Sequence, residues 1–343
     1  MAIEFFDGFD TGRLPEWFNG SFTIDGNGRN GSCLFSTAGL ETGDSTSVLT
    51  LSASQKKIVG MAYKTTGGFD LAAQYPISFV SGSTRHITIN FDATGHIIIR
   101  RGDGAGTVLA TSTEVYPTNV WRYIEASAII DDAAGSVVVK VDGVQWVSYI
   151  GGDTRNGGTT TDIDKIYIGF RWPVFVNTWV DDLYVLDGTD ATATTGRADN
   201  DFLGDVKVAT IVPNGEGDAK DWTGTDADKD QNHLLIDEIS PNTSDYIKSS
   251  VANERDLWTL TDVAAPAEIY GIRTNIYAQK SDAGDASFRI LTKGSTGTTI
   301  NGAAETLSTT WTWYRTPMMT TKPDGGGWTV AELNALQVGV ERL

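Results

Sequence analysis

Short strands joined by tight turns dominate the sequence between residues 87 and 186, and this pattern limits the fold more than any other feature. The clearest turn is Val141-Asp142-Gly143-Val144, which separates two runs rich in β-branched and aromatic residues. Asp-Gly at this position favours a type I′ hairpin turn, because glycine adopts a positive φ without a steric clash. A second hairpin is predicted for 87–91 and 97–100 around the turn at 92–95. Many strands at this spacing predict a β-sandwich or jelly roll.

The second half of the chain predicts another all-β domain. Strands are expected at 202–212, 234–239, 246–250, 269–279, 288–291 and 310–316. One short helix is predicted near the C-terminus, where Thr329 and Glu332 have the spacing of a capping box. The small, polar residues at 188–200 have the composition of a linker. The predicted fold class is therefore all-β, with a jelly-roll domain at 1–187, a linker at 188–200 and a second β-sandwich domain at 201–343.

Charge and cysteine content restrict the function and its surroundings. The formal net charge of -18 repels phosphate backbones and anionic membrane surfaces, so nucleic-acid binding is not expected. A single cysteine, Cys33, cannot form an internal disulfide, so the fold does not depend on an oxidising compartment. The N-terminus lacks the pattern of a secretory signal, and no segment approaches the ~20 apolar residues of a membrane-spanning helix. We therefore expect synthesis in a cytoplasm and no membrane insertion.

Several stretches resemble domains of known proteins. The run WRYIEASAIIDDAAGSVVVKVDGVQWVSYIGGDT, followed by IDKIYIGF and WVDDLYVLDG, resembles concanavalin A-like, laminin-G-like jelly rolls, particularly those of tailed-bacteriophage virion proteins. The opening FFDGFDT fits the same pattern, in which the first strand pairs beside the last. The stretches FLGDVKVATIVPNGEGDAKDWTG, IYGIRTNIYAQKSDAG and GWTVAELNALQVGVERL resemble a domain that follows such jelly rolls in phage virion proteins. The combined resemblance implies a virion protein.

The residues give little support to catalysis. Glucanases that share the jelly-roll fold carry E-x-D-x-x-E on one strand, which places two carboxylates about 5 Å apart. The closest string, at 216–221, ends in aspartate and is expected to be a loop. His86 and His96 are interpreted as solvated residues at strand ends, and Cys33 as a small buried residue. We predict that the chain is not an enzyme, and an unrecognised glycoside hydrolase is kept as a third hypothesis.

Calcium is the metal for which the sequence offers candidate ligands. The side chains that alternate like the first ligands of a calcium loop are Asp226, Asp228, Asp230 and Asn232. Gln231 stands where such a loop has its turn glycine, so an acidic surface loop is the alternative interpretation. Asp181 and Asp182 are a second candidate, because the resembled jelly rolls include members with calcium at the sheet rim. A turn at the start of a strand is the alternative there, and no other cofactor is expected.

Aromatic residues supply the candidate ligand-binding site. Trp172, Phe175 and Trp179 lie in the stretch RWPVFVNTW, which is predicted to be a loop between the last two strands of the first domain. Proteins hold glycans with planar rings against the sugar faces and polar groups at the edge. Packing beneath the loop or against a neighbouring subunit is the alternative.

These observations predict a structural component of a tailed-phage virion, acting in assembly and surface display. The expected position is the tail, its fibres or the tail tip, and capsid decoration or a head fibre is the alternative. Binding of host-surface glycans by the jelly roll is the alternative function. The expected partners are other virion proteins and further copies of the chain in a symmetric homo-oligomer such as a trimer. The expected location is the virion surface, after synthesis in the bacterial cytoplasm.

Overall fold

The chain forms two compact units that are built almost entirely from antiparallel strands. The computed structural model describes residues 3–11, 23–29, 31–37, 46–66, 75–169, 177–189, 200–225, 230–264 and 268–343. The first unit comprises Met1–Ala193 and Ala198–Ala209, and the second comprises Thr194–Arg197 and Thr210–Leu343. The α-helix found in the described ranges is short and lies near the C-terminus. The predicted all-β class with one short C-terminal helix is confirmed.

The first unit is a sandwich of two antiparallel sheets. Its strands are β1 (Ile3–Asp7), β2 (Thr23–Asp25), β3 (Cys33–Thr37), β4 (Thr46–Ser54), β5 (Lys56–Thr65), β6 (Ile77–Ser81), β7 (Thr84–Phe91), β8 (His96–Arg101), β9 (Thr107–Val115), β10 (Arg122–Ile129), β11 (Gly135–Val141), β12 (Val144–Gly152), β13 (Ile163–Gly169) and β14 (Asn177–Asp187). The larger sheet has the order β12-β11-β10-β5-β14-β3-β2, and β1 also pairs with β14. The smaller sheet has the order β4-β13-β6-β7-β8-β9.

Strand periodicity places the core between these two sheets. In β11, Val137, Val139 and Val141 are buried, whereas the residues between them are partly exposed. Successive side chains of a strand point to opposite faces, so every second residue enters the core. Burying one side chain of this size is worth about 1.5–3 kcal/mol relative to leaving it exposed. The continuous core explains why the two sheets form one unit.

Local turn chemistry and the order of the strands agree with the sequence pattern. The predicted hairpins are present as β7–β8 and β11–β12. Asp142 and Gly143 have φ of 48° and 78°, the positive values that a type I′ turn requires. The Asp142 carboxylate also accepts a hydrogen bond from the Tyr123 amide at 2.8 Å. The first strand pairs with the last, with Phe6 opposite Tyr184, as the resemblance implied.

The second unit has a six-stranded sheet and two smaller ones. Its elements are β15 (Pro213–Lys220), β16 (Thr223–Gly224), a 3-10 helix (Asn232–Leu235), β17 (Ile247–Lys248), β18 (Arg255–Leu260), β19 (Asn275–Ala278), β20 (Ser287–Lys293), β21 (Thr299–Asn301), β22 (Glu305–Thr306), β23 (Thr312–Arg315), α1 (Val330–Asn334) and β24 (Gln337–Arg342). The main sheet has the order β15-β18-β24-β20-β21, and β22 also pairs with β20. The C-terminal strand β24 is therefore central. The predicted capping box closes α1, because Thr329 accepts from the Glu332 amide while the Glu332 carboxylate accepts from the Thr329 amide.

Three local predictions were wrong. Residues 202–212 form no strand, because several of their amides bond to side chains instead of a neighbouring strand. Residues 234–239 were expected to be a strand, but a 3-10 helix occupies Asn232–Leu235. Residues 216–221 were expected to be a loop, but most of them lie in the edge strand β15, whose pairing is interrupted between Glu216 and Lys220. None of the helices in the described part of the chain is long and apolar enough to cross a membrane.

Candidate functional site

The outer face of the larger sheet carries a row of side chains from neighbouring strands. This aromatic row consists of Trp121, Lys64, Trp179 and Phe35. Lys64 of β5 lies opposite Trp179 of β14, which in turn lies opposite Phe35 of β3. Trp121 directly precedes Arg122, whose partner in β5 is Tyr63. The strand register therefore brings four distant parts of the sequence into one line.

Alternation along the strands explains why the row faces outward. The neighbours Tyr63, Val180 and Leu34 belong to the hydrophobic core. The residues next to them in sequence must point to the opposite face, and all four side chains of the aromatic row are half-buried. Neighbouring strands lie about 4.8 Å apart, so the row is roughly 14 Å long.

The contacts in the aromatic row are between a cation and ring faces. The Lys64 ammonium lies 4.2 Å from the ring centroid of Trp179 and 4.9 Å from that of Trp121. Both distances are within the range of a favourable cation–π contact. The rings of Phe35 and Trp179 lie 5.2 Å apart with a tilt of 33°. The indole Nε1 of Trp179 is buried and has no hydrogen-bond partner among the residues that the structure describes.

One of the four residues in this row was predicted from the sequence to bind a ligand. Trp179 was a predicted ligand-binding residue and lies at the centre of the row. The other two candidates, Trp172 and Phe175, lie outside the described residues. Trp121 and Phe35 were missed because they are distant in sequence from Trp179. The signal that identifies them is their register with Trp179, which depends on the order of the strands in the sheet.

A buried acidic cluster lies on the same face, next to the aromatic row. Its members are Tyr123, Glu125, Asp181, Asp182 and Tyr184, all of them buried. Tyr123 and Asp181 lie opposite Ala62, and Glu125 and Tyr184 lie opposite Gly60. The Tyr184 hydroxyl donates to Glu125 Oε1 at 2.5 Å. A β-carbon at residue 60 would overlap the Tyr184 ring, so this arrangement requires glycine there.

Residues 200–209, which we call the strap, cover the acidic cluster. The Gly204 amide donates to Glu125 Oε1 at 2.8 Å, and the Val208 amide donates to Asp182 Oδ1 at 2.7 Å. The Asp205 carboxylate pairs with Arg29 at 2.7 Å. The guanidinium of Arg29 also donates to Asp182 Oδ2 at 3.1 Å. The carboxylates of the acidic cluster thus accept hydrogen bonds from backbone amides of the strap and from the guanidinium of Arg29.

Burial sets the protonation behaviour of this cluster. It raises the pKa of Asp181 to about 7, and the neighbouring charge of Asp182 adds to the effect. Burial also raises the pKa of Asp182, although the Val208 amide and Arg29 act in the opposite direction. The two residues lie at an irregularity in the pairing of β14 with β5, where Asp182 has a positive φ of 50°. They were predicted either as calcium ligands or as a turn at a strand start, and the structure places them inside β14.

The predicted calcium loop is only partly within the described residues. Asp226 and Asp228 lie outside them, whereas Asp230 is exposed and its carboxylate accepts from Lys220 Nζ at 2.6 Å. The Asn232 side chain is buried and donates to Asp256 Oδ2 at 2.6 Å. Within the described ranges, no group of three or more His, Cys, Asp or Glu side chains is arranged to hold a metal ion. The buried Asn232 side chain faces the interior of the second unit, because it bonds to the buried Asp256.

The interpretation of His86 as a solvated residue was wrong. His86 is fully buried, and its Nδ1 accepts a hydrogen bond from the Asn156 amide at 3.1 Å. Its Nε2 is also buried and has no hydrogen-bond partner in the described part of the chain. Burial lowers the pKa of the ring, which favours the neutral form. Cys33 is buried as expected, and burial raises the pKa of its thiol to about 12.

Two further groups of side chains contact each other in the second unit. Glu216 Oε1, from the string compared with a glucanase motif, accepts from the His233 amide at 3.1 Å and contacts His233 Nδ1 at 2.7 Å. The half-buried aromatic rings that pack together are Tyr246, Tyr277, Trp311 and Trp313. The rings of Tyr277 and Trp311 are stacked, with centroids 5.4 Å apart. These two rings therefore cover each other.

The chain was compared with known proteins. No protein-family model and no curated protein matches it. No family is shown. Among solved structures, it is similar to alginate lyase Aly36B, with 12% identity, a TM-score of 0.37, and coverage of 54% of this chain and 95% of that chain. It is also similar to the carbohydrate-binding module CBM66 from Bacillus subtilis, with 10% identity, a TM-score of 0.33, and coverage of 50% and 93%.

A third similar structure is the Trypanosoma rangeli sialidase in complex with the inhibitor DANA. The identity is 15% and the TM-score is 0.35, and the match covers 49% of this chain and 29% of the sialidase. Likeness at these scores carries no argument about activity or ligand. The description of the first unit as a two-sheet sandwich rests on its own strand pairing and core.

Proposed function

We propose that this chain is a non-catalytic structural component of a tailed-phage virion. The observation that carries the structural role is the strap. The buried carboxylates of Glu125 and Asp182 accept hydrogen bonds from the Gly204 and Val208 amides of the strap. This arrangement stabilises a fixed shape, because a buried carboxylate that accepts several hydrogen bonds resists rearrangement. The assignment to a virion is supported by the sequence resemblance described above.

The proposed position is the tail, its fibres or the tail tip, and capsid decoration is the alternative position. The proposed partners are other virion proteins and further copies of the chain in a symmetric oligomer such as a trimer. The expected life history is synthesis in the bacterial cytoplasm followed by incorporation at the virion surface. The acidic net charge of -18 disfavours packaged nucleic acid as a partner.

Cryo-electron microscopy of phage particles from lysates that contain this chain tests the virion role. The expected result is density at the tail or capsid surface that fits the first unit, together with the protein's peptides in purified particles. Mass spectrometry of gradient-purified particles gives an independent readout. Absence of the chain from infectious particles, with the free protein recovered in the supernatant, would refute the proposal.

The aromatic row supports a second function, binding of host-surface glycans by the first unit. Rings with a polar group between them are the usual composition of a sugar-binding surface. Trp179 lies in the middle of the row, between Lys64 and Phe35. A glycan array with the purified protein should give selective binding that Trp179→Ala reduces at least tenfold. The control is Trp313→Ala in the second unit, which should leave binding unchanged.

The two functions are compatible in one molecule and separate cleanly in experiment. A virion protein without glycan affinity would give density on particles and no selective signal on the array. A free lectin would give the reverse result. If Trp179→Ala binds every glycan as the parent protein does, the aromatic row serves only for packing.

A further inference from the structure

We infer that the aromatic row selects glycans that carry a carboxylate, with Lys64 as the residue that recognises the charge. This inference deepens the proposed glycan-binding function and rests on it. The position of the lysine within the row, its partners and the chemistry of the groups around it support this assignment.

Lys64 is central to the row and carries its positive charge. Its register partner is Trp179, and its ammonium lies over the ring faces of Trp179 and Trp121. The side chain as a whole is half-buried, which partly shields it from water. Desolvation strengthens the interaction of a charge with any group that approaches it.

Lys64 and Lys57 lie on the same strand but have different surroundings. The ammonium of Lys57, for example, is fully buried and pairs with Glu4 at 2.6 Å. Among the described residues, no carboxylate forms an ion pair with Lys64. The aromatic faces lower the cost of holding the charge there but supply no hydrogen-bond acceptor of their own. An incoming carboxylate would therefore be the first anionic acceptor for a preplaced ammonium.

The flanks of the row suit the body of a sugar. Phe35 packs on the side of Trp179 that is away from Lys64, which extends the apolar surface past the charge. A sugar acid can place its carboxylate on the ammonium and its apolar C–H groups along the neighbouring rings. A neutral sugar would make the contact with the rings but would have no carboxylate to place on the ammonium.

The net charge of the chain restricts how this selection works. A protein with a net charge of -18 repels anions at long range. Recognition must therefore arise at contact, from a charge-assisted hydrogen bond between the ammonium and the carboxylate. Nucleic acids and anionic lipids present charge over a wide area and gain less from a single ammonium.

The experiment compares acidic oligosaccharides with neutral counterparts. The probes are oligogalacturonate, oligoglucuronate and sialylated oligosaccharides, each beside its carboxyl methyl ester, and affinities are measured by calorimetry with the full chain. We expect at least one acidic probe to bind about tenfold or more tightly than its ester, as loss of one charge-assisted hydrogen bond implies. Lys64→Met, which keeps the aliphatic contact with the indoles, should abolish this preference. Lys64→Arg, which keeps the charge, should retain most of it.

The outcomes distinguish the two levels of the proposal. If acids and esters bind equally and Lys64→Met changes nothing, charge selection is refuted while glycan binding stands. If no acidic or neutral glycan binds, both fail. Thermal unfolding of Lys64→Met provides the folding control, and a circular dichroism spectrum equal to that of the parent shows that lost binding is not lost structure. If the spectrum differs, the Lys64→Arg variant and the ester comparison still decide the result.

Discussion

The bond between the acidic cluster and the strap gives a sharp prediction. Glu125 Oε1 accepts from the Tyr184 hydroxyl at 2.5 Å and from the Gly204 amide at 2.8 Å. Glu125→Ala removes this shared acceptor inside a buried site. Losing a buried hydrogen bond to a charged group costs about 1.5–3 kcal/mol. The substitution also removes a buried charge, which offsets part of the destabilisation caused by losing two bonds. We therefore expect the free energy that holds the strap in place to fall by about 3 kcal/mol.

Amide hydrogen exchange followed by mass spectrometry measures this change at the strap itself. A loss of about 3 kcal/mol corresponds to roughly a hundredfold faster exchange for peptides covering 200–209. Glu125→Gln is the matched control, because its amide oxygen can accept the same bonds, and exchange should then stay within about fivefold of the parent. Peptides from the second unit should exchange as in the parent in both variants.

The result that contradicts the reasoning is equal exchange in the alanine and glutamine variants. In that case the acceptor at residue 125 would contribute nothing, and packing of the strap would account for its position. A double-mutant cycle with Tyr184→Phe then apportions the energy. Coupling of about 1 kcal/mol or more between residues 125 and 184 supports a hydrogen-bonded network, and additivity argues against it.

Three further predictions concern the rest of the fold. Gly60→Ala should destabilise the first unit by about 1–3 kcal/mol, because the new methyl group overlaps the Tyr184 ring. Gly26→Ala is the control, because that site has open space and the substitution should not destabilise the unit in the same way. Calorimetry of both variants measures the difference. Burial raises the pKa of Asp256 to about 7 from an ordinary value near 3.8, so its folded state binds a proton more tightly than its unfolded state. Stability of the second unit should therefore fall as pH rises from about 4 to 7, by about 4 kcal/mol at most, and urea unfolding of Asp256→Asn should show a flatter pH profile; an unchanged profile would count against the assignment. Thr329→Ala should cost about 1 kcal/mol through loss of the capping box, and Thr329→Ser should cost less, as measured by urea unfolding of the full chain.

Much of the fold could be predicted because it depends on local chemistry. The turn at Asp142 and Gly143 and the cap at Thr329 are set by residues within a few positions of each other, and both are present. Alternation along β11 accounts for which of its residues are buried. These features need no knowledge of which strands are neighbours.

The strap and the aromatic row could not be predicted, because they depend on long-range pairing. Residues 202–212 have the composition of a strand, yet their amides bond to carboxylates at positions 125 and 182. Similarly, nothing in the local sequence of Trp121 indicates that Lys64 and Trp179 lie beside it. Burial of His86 was missed because residues at strand ends are usually exposed, whereas the Asn156 amide bonds to this ring from a distant part of the chain.

Pairing between the first and last strands of the first unit affects how the protein folds during synthesis. Ile3 lies opposite Leu186, so β1 has no partner strand until β14 has been made. Synthesis proceeds at about 5–20 residues per second, which leaves the early strands waiting for roughly ten seconds or more. Even then Glu125 and Asp182 lack their backbone donors until residues 204 and 208 emerge from the ribosome. A nascent chain stalled near residue 190 would thus hold an incomplete sandwich in which Glu125 and Asp182 still lack these donors.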